Sequence, residues 1–483
     1  MPILMWLFIV PLISSLMMWL DGAKKTAKVL AFALSLLPLV LLLWNHSELI
    51  GMAVNYKWIP SLGINFFLKI DALSLVFLYL TALIIPISIL AVNRGSHTHL
   101  GLFYALILLL QSLLIGFFTA RDLALFTIFW EAMLLPLYLI ISFWGGEHRQ
   151  KAAIKFLVYM IAGSALMIAA ILLLYLTSTS GGAGTFNIDA LKGIAASTPY
   201  AYWIFLIFLL AFAVKTPLFP FHAWLPDAYY QAPTSGTILL SALLSKAGIY
   251  GILRIGMELF PELLKEWSFV GLVLAIAGVF YGGLAAWMQN DFKKIFIYSS
   301  FSHVNFILAG LFIWHQPAQQ GAVLQSVNHA IIITALFLVG AWLESILKNS
   351  SMNNVRGLIK YFPQLGWLTM FFVLASVALP GTNSFIGELM ILFGLFGQSP
   401  WIAAFLGLSI ILSALYMLRF MEKVYFGPPV SAQPDWRDIG AKELLIALPL
   451  VALVLWIGIY PAPFLNIIKQ AMETLFSQGV ISS

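Results

Sequence analysis

Four ionisable side chains stand inside stretches that are otherwise apolar. Glu131 lies in DLALFTIFWEAMLLPLYLI, Lys215 in LLAFAVKTPLFPFHAW, Lys246 in TILLSALLSKAGIYGIL and Glu388 in ALPGTNSFIGELMILFG. A charge at the centre of a bilayer costs at least ~3 kcal/mol unless it is paired or hydrated. A structural ion pair would need one acid and one base. Two of each, on four separate stretches, point instead to the handling of protons or ions. Lysine suits that work. Burial favours its neutral amine and a nearby carboxylate favours its ammonium, so a lysine whose acidic partner moves takes up and releases a proton. Arginine would stay charged.

Three histidines, His222, His303 in YSSFSHVNF and His329 in SVNHAIIITALF, lie within or beside apolar stretches. One such histidine is often a packing residue, whereas three favour a hydrated polar path. Ser241, Ser245, Ser299, Ser300 and Ser302 stand near them. Their hydroxyls could hold a water chain or simply let helices pack closely. No second ligand stands at metal spacing such as HxxxH, so no metal is expected. The chain has no cysteine, which excludes disulfides, Cys-bound clusters and thiol chemistry. No phosphate loop or GxGxxG fingerprint is present, so no cofactor is expected, and SGGAG at 180–184 reads as loop composition.

The elements that position these groups follow from composition. Of 483 residues, 62% are hydrophobic and only 9% charged, and the mean hydropathy is +0.98. A soluble domain is about 25% charged, so this chain reads as an all-α polytopic membrane protein. The net charge of +6 comes from scattered loop residues, not from a basic run, which argues against nucleic-acid binding. A span needs about 20 apolar residues. Fourteen candidates result: 2–20, 28–44, 72–92, 101–119, 122–144, 152–176, 201–221, 235–256, 267–288, 295–314, 321–346, 366–397, 401–425 and 443–465. The first lacks a basic flank and a cleavage site, so it is expected to be retained as a span. Loops 177–200 and 427–442 are polar, and no separate soluble domain is expected.

Loops after odd-numbered spans hold 16 Lys and Arg, among them Lys24, Lys25, Arg94, Lys293, Lys294 and Arg419; the other loops hold 6. The positive-inside rule then places both termini outside the cytoplasm. Two spans are broken. Pro217 and Pro220 follow Lys215, and Pro380-Gly381 precedes Glu388. Proline frees backbone carbonyls that lipid cannot satisfy, and broken helices beside an ionisable residue are a usual transporter arrangement. The breaks fall in the seventh and twelfth spans. An offset of five suggests two inverted repeats, spans 4–8 (101–256) and 9–13 (267–425), in one membrane domain.

With FWEAMLLPLYLI, AFAVKTPLFPFHAWLPDAYYQAPTSGTILLSALLSKAGIYGILR, QNDFKKIFIYSSFSHVNF and LPGTNSFIGELMILFG, the sequence closely resembles the antiporter-like subunits of respiratory complex I over nearly its whole length. The L-like and N-like branches typically carry Lys where Glu388 stands, and the L-like branch adds a long lateral helix, so the resemblance is to the M-like branch. It implies fourteen core helices, inverted five-helix repeats and broken seventh and twelfth helices. It implies that Glu131 and Lys215 form a coupling ion pair, that Lys246 is the central proton carrier and Glu388 the exit-side carrier, with His222, His303 and His329 along the polar axis. The implied protein is a non-redox, proton-pumping translocase subunit of NADH:quinone oxidoreductase in a bacterial inner membrane. Its partners would be L-like and N-like subunits, lipid and protons, with quinone reduced in other subunits. Asn305, where the family often has Gly, and the apolar surroundings of His329 depart from the pattern.

Other classes share the module: a Mrp-type cation/proton antiporter, a membrane-bound hydrogenase or a photosynthetic ferredoxin-driven complex, and a structural spacer. Glu388 argues against the antiporter, and four buried charges argue against the spacer. Neighbouring genes would separate the first two.

Overall fold

The computed structural model describes residues 2–21, 26–92, 99–178, 184–353, 355–431 and 436–479. Lys24, Lys25, Arg94, most of SGGAG at 180–184, and Ser483 lie outside them. Among the described residues twelve helices are long and apolar enough to cross a membrane, from Ile3–Leu20 to Ala441–Ile459. Two further apolar helices are shorter, Ala201–Lys215 and Pro363–Ser376. These two begin the segments whose prolines predict a break. The chain is an integral membrane protein. Helix Arg149–Ser178 shows why: it exposes Ile154, Val158, Ile161, Leu172 and Leu176, a stripe that only lipid or a partner helix would cover.

The chain divides into two compact units. The first holds Met1–Thr216, Gln231–Trp267 and Ile467–Ser483. Helix Thr234–Met257 is its most enclosed element, with every residue of its most apolar window buried, whereas Ala27–Trp44 is only 28% buried. An antiparallel hairpin, Ala53–Ile59 with Ile64–Lys69, adds β structure to the expected all-α chain. AVNYKWI-PSLG-INFFLK carries the signal for it: two β-rich runs around a turn in which Gly63 adopts a left-handed φ of 70°.

The first unit also contains a break beyond the two expected in the seventh and twelfth spans. Helix Leu123–Ala132 stops at Met133 and resumes as Leu134–Trp144. Pro136 is the cause. It has no N–H to give the carbonyl of Ala132, four residues earlier. Glu131 therefore sits in the last turn before an interruption, as Lys215 does.

The second unit holds Pro217–Tyr230 and Ser268–Asn466. Helices Ser268–Trp287, Phe292–Phe312 and Gln316–Leu347 pack with Asn383–Gln398 and Pro400–Val424. Helix Pro363–Ser376 ends ahead of Pro380, and the chain resumes helix at Asn383 after Gly381 has taken a φ of 91°. The tail is not plain coil. After span Ala441–Ile459 a second helix runs Ala462–Gly479, and within the first unit its Ile468, Ala471, Met472 and Leu475 are buried at helical spacing.

Candidate functional site

In the first unit, Lys215 closes helix Ala201–Lys215 and is 2% exposed. Its ammonium donates to the Trp130 carbonyl at 3.0 Å and lies 3.6 Å from the centre of the Trp130 ring. The ring is fixed by Phe117, Phe126 and Phe212 and by its own N–H, which donates to Ser164 Oγ at 3.1 Å. Glu131 faces Lys215 as a charge without ion-pair contact, and its Oε1 accepts no hydrogen bond. The implied coupling pair is thus present as neighbours but not closed. Lys215 rests on a cation–π seat instead, an attraction worth about 2 kcal/mol when desolvated. Trp130 has no signal in the sequence beyond standing next to Glu131.

Lys246 is fully buried at the middle of helix Thr234–Met257. Its Nζ donates to the Ser241 carbonyl at 2.7 Å and to Ser245 Oγ at 3.2 Å. The helix widens into π turns at Leu240–Leu244 and Ile252–Met257, on either side of Lys246. Such turns are rare and recur at functional sites, because they leave carbonyls to accept other donors. Gly248 allows the next layer: a Cβ there would come within 2.0 Å of Thr216 Oγ1, so only glycine lets this helix approach the residue after Lys215.

The first unit also holds an ion cluster built on three of the loop cations, Arg121, Lys192 and Arg254. Arg254 binds Asp71 through two nitrogens, at 2.7 and 2.8 Å, and reaches Glu258 at 3.1 Å. Arg121 binds Glu258 at 2.6 and 3.1 Å and also pairs with Asp189. Lys192 bridges Glu258 at 2.6 Å and Asp189 at 3.0 Å. Together they border a cavity of about 60 Å³, also lined by Ala471, Thr474 and Leu475 of the C-terminal helix. Burial pushes the carboxyls of Asp71 and Glu258 up, but Arg254 and Arg121 outweigh it and hold both below the usual range. Asp189 is likewise held down by Arg121 and Lys192 against its burial. One available signal was Arg254 and Glu258 at i, i+4 where the span ends.

In the second unit, Glu388 is 3% exposed and its Oε1 receives Gln325 Nε2 at 3.1 Å. His303 Nδ1 lies 3.4 Å from the same oxygen, and the His303 and His329 rings are 6.1 Å apart. Gln325, His303 and His329 line a cavity of about 10 Å³ with Ser299, Ser300, Ser376 and Ser384, closed on one side by Ile332, Ile333 and Leu336. That volume and lining suit a single water. Tyr416 closes the wall through Ser299 Oγ at 2.9 Å. His222 stands apart from this group, enclosed by Phe219, Tyr281 and Phe301 with ring centres 4.4–5.6 Å away. The serines divide accordingly. Ser241 and Ser245 bond back to their own helix and Ser302 bonds across to the Val279 carbonyl, while Ser299 and Ser300 line the polar cavity. Asn305, the departure from the family pattern, donates to the Pro217 carbonyl at 3.3 Å and accepts from the Phe219 N–H at 3.3 Å, satisfying unwound backbone. Among the described residues, no three or more His, Cys, Asp or Glu side chains form a metal-holding group.

Interrupted apolar helices with buried lysine, glutamate and histidine define a membrane protein of the ion-translocating class. Residues 120–413 match the family described as "NADH:quinone oxidoreductase/Mrp antiporter, TM". A chain of respiratory complex I from Thermus thermophilus with bound NADH superimposes with a TM-score of 0.89, at 30% identity over 99% of both chains. A chain of the Mrp complex from Dietzia sp. shares the fold, with a TM-score of 0.88 at 22% identity, covering 98% of this chain and 97% of that one. NADH-quinone oxidoreductase subunit M of Pseudomonas aeruginosa is 35% identical over 98% of this chain and 97% of its own. The chain belongs to the family of NADH-quinone oxidoreductase subunit M.

Proposed function

We propose that the chain is the proton-translocating, antiporter-like subunit M of a bacterial NADH:quinone oxidoreductase, itself free of redox chemistry. The observation that carries this reading is Lys215 seated on Trp130 at a helix interruption, beside a Glu131 carboxylate that does not touch it. Such an arrangement has two positions for one charge. A signal from quinone reduction in other subunits moves Glu131 and Lys215 together or apart. Closed, the pair holds the ammonium. Open, the freed positive charge repels the proton on Lys246, which passes by way of the histidines towards Glu388. The Glu388–His303 contact supports a carrier there, since a carboxylate beside a protonated imidazole can take its proton directly or through one water. The family relation supports L-like and N-like subunits as neighbours in the membrane, and fourteen spans containing two inverted repeats of five helices, 101–256 and 267–425. His222, in its aromatic enclosure, has a place on that path only if a ring moves.

The test uses the assembled complex in inside-out membrane vesicles, with NADH-driven proton uptake as the readout and native gels to verify assembly. Lys246→Ala is expected to lose most pumping. Glu388→Ala and Glu388→Gln are expected to lose more than Glu388→Lys, which keeps a titratable group. Wild-type pumping in Lys246→Ala and in both Glu388→Ala and Glu388→Gln would refute the reading.

Orientation is tested separately. The loop bias of 16 to 6 places both termini on the non-cytoplasmic side of the inner membrane. Reporters fused in loop 427–442 and at Ser483 are expected on opposite sides. Both on one side would overturn the span count.

A further inference from the structure

Glu388 takes a hydrogen bond that the proton path does not require, and the donor is itself fixed by a chain of amides. Gln325 Nε2 reaches Glu388 Oε1 at 3.1 Å and Ser384 Oγ at 3.3 Å. Gln325 Oε1 accepts from Asn328 Nδ2 at 3.2 Å. The same Asn328 nitrogen donates to the Asn383 carbonyl at 2.8 Å, in the first turn after the helix break. Asn383 Nδ2 returns a long contact, 3.5 Å, to the Asn328 carbonyl. All these residues are buried.

Donor and acceptor counting leaves only one arrangement. An amide nitrogen has two hydrogens and no acceptor lone pair to offer. Asn328 Nδ2 faces two oxygens, so its two hydrogens are both used. Gln325 must then present its oxygen to Asn328 and its nitrogen to Glu388. The reverse orientation would set oxygen against carboxylate and nitrogen against nitrogen. Packing fixes the position as well. Gln325 lies against the helix at Gly387, where a Cβ would come within 2.5 Å of its Oε1. Any side chain at 387 would push Gln325 away from the residue that follows it.

We propose that Gln325, oriented by Asn328, is a positioning residue that fixes which way the Glu388 carboxylate points and thereby governs its proton exchange with His303. This rests on the reading of Glu388 as a carrier. The Gln325 donor holds Oε1 within reach of His303 Nδ1, 3.4 Å away. The amide chain begins at the break, so movement of Asn383 shifts Asn328, releases Gln325 and lets Glu388 swing. The helix interruption thus acts on the carboxyl through three amides, with no bond made or broken other than hydrogen bonds.

The experiment uses the purified, assembled complex and infrared difference spectroscopy with pumping measured alongside. Glu388→Gln identifies the Glu388 carboxyl band by its loss. Gln325→Met keeps the shape and removes the donor, and Asn328→Leu removes what orients it. Both are expected to move the carboxyl C=O band to higher wavenumber, because the group loses a hydrogen bond, and to slow pumping by roughly ten-fold, the effect of a hydrogen bond to a charged group. The Asn328→Leu shift should be the smaller. Ser384→Ala should leave the band in place. If Glu388→Gln removes no band and pumps normally, the carrier reading falls and this proposal with it. If the band exists but stays put in Gln325→Met, the proposal alone falls, even where pumping is slower, since that would be a structural effect. Should Gln325→Met fail to assemble, the band position in Asn328→Leu decides.

Discussion

Glu131→Ala is expected to lose most NADH-driven proton pumping, with Glu131→Asp keeping much of it. In the proposed function Glu131 is the carboxylate that acts on Lys215, and it stands two residues ahead of the Met133 interruption, where backbone can yield. An ammonium and a carboxylate 4 Å apart attract by about 4 kcal/mol at an effective dielectric of 20. Closing or opening the pair therefore changes, by an interaction on the order of that size, how far the Lys215 charge is neutralised and how strongly it acts on Lys246. Alanine removes that lever outright. Aspartate keeps the charge on a shorter stem, and the interruption gives it room to approach. Lys215→Ala should match Glu131→Ala, because the same pair is lost from the other side. Pumping is read by a pH-sensitive dye in vesicles, against NADH oxidation and a native gel. Normal pumping by an assembled Glu131→Ala complex would remove the pair from the mechanism and leave Lys215 as a residue parked on Trp130.

Arg254→Ala should be the most damaging change outside the proton path. The guanidinium is 2% exposed and is shared by Asp71, Glu258 and the Tyr250 hydroxyl. Removing one partner of a buried ion pair costs about 3–5 kcal/mol, because the other charge is left unpaired. Two carboxylates would be left here, with Arg121 and Lys192 only partly replacing what is gone. The expected result is failure of the complex to accumulate, seen on native gels, with Arg254→Lys intermediate because one ammonium cannot grip Asp71 through two nitrogens. The same cluster sets a pH dependence. Asp71, Asp189 and Glu258 have folded-state values below their ordinary ones, held there by Arg254, Arg121 and Lys192 against burial. Such groups bind fewer protons folded than unfolded, so their stabilisation is complete above about pH 4 to 5 and is lost as pH falls through the depressed values. Thermal stability of the purified complex should therefore be flat near neutrality and drop in acid. Arg254→Lys should start less stable near neutrality and lose less in acid, with its loss ending at a higher pH, because its carboxyls are held down less. An acid limb identical in wild type and Arg254→Lys would show that the cluster does not set it.

Glu131, Lys215, Lys246 and Glu388 were legible in the sequence because a charge amid apolar residues violates local pattern, and no structure is needed to see that. The spans were legible for the same reason. Hydropathy is a local sum, and the two helices that fall short of membrane length, Ala201–Lys215 and Pro363–Ser376, are each followed within four residues by a proline. Pro136 carried a third break in equally plain view, but proline is common enough in membrane helices that its position beside Glu131 was the only distinguishing mark. The tertiary structure alone decided partners. Arg121 and Arg254 were scattered loop charges until folding brought Asp71 and Asp189, from distant parts of the chain, to join Glu258, four residues after Arg254. Gln325, Asn328 and Asn383 are uncharged and unremarkable in any window, and their role depends on which amide faces which oxygen. The seat of Lys215 on Trp130 has the same character. Periodicity and hydropathy are properties of neighbours in sequence, whereas hydrogen bonds and buried ion pairs are satisfied by neighbours in space, and only packing specifies those.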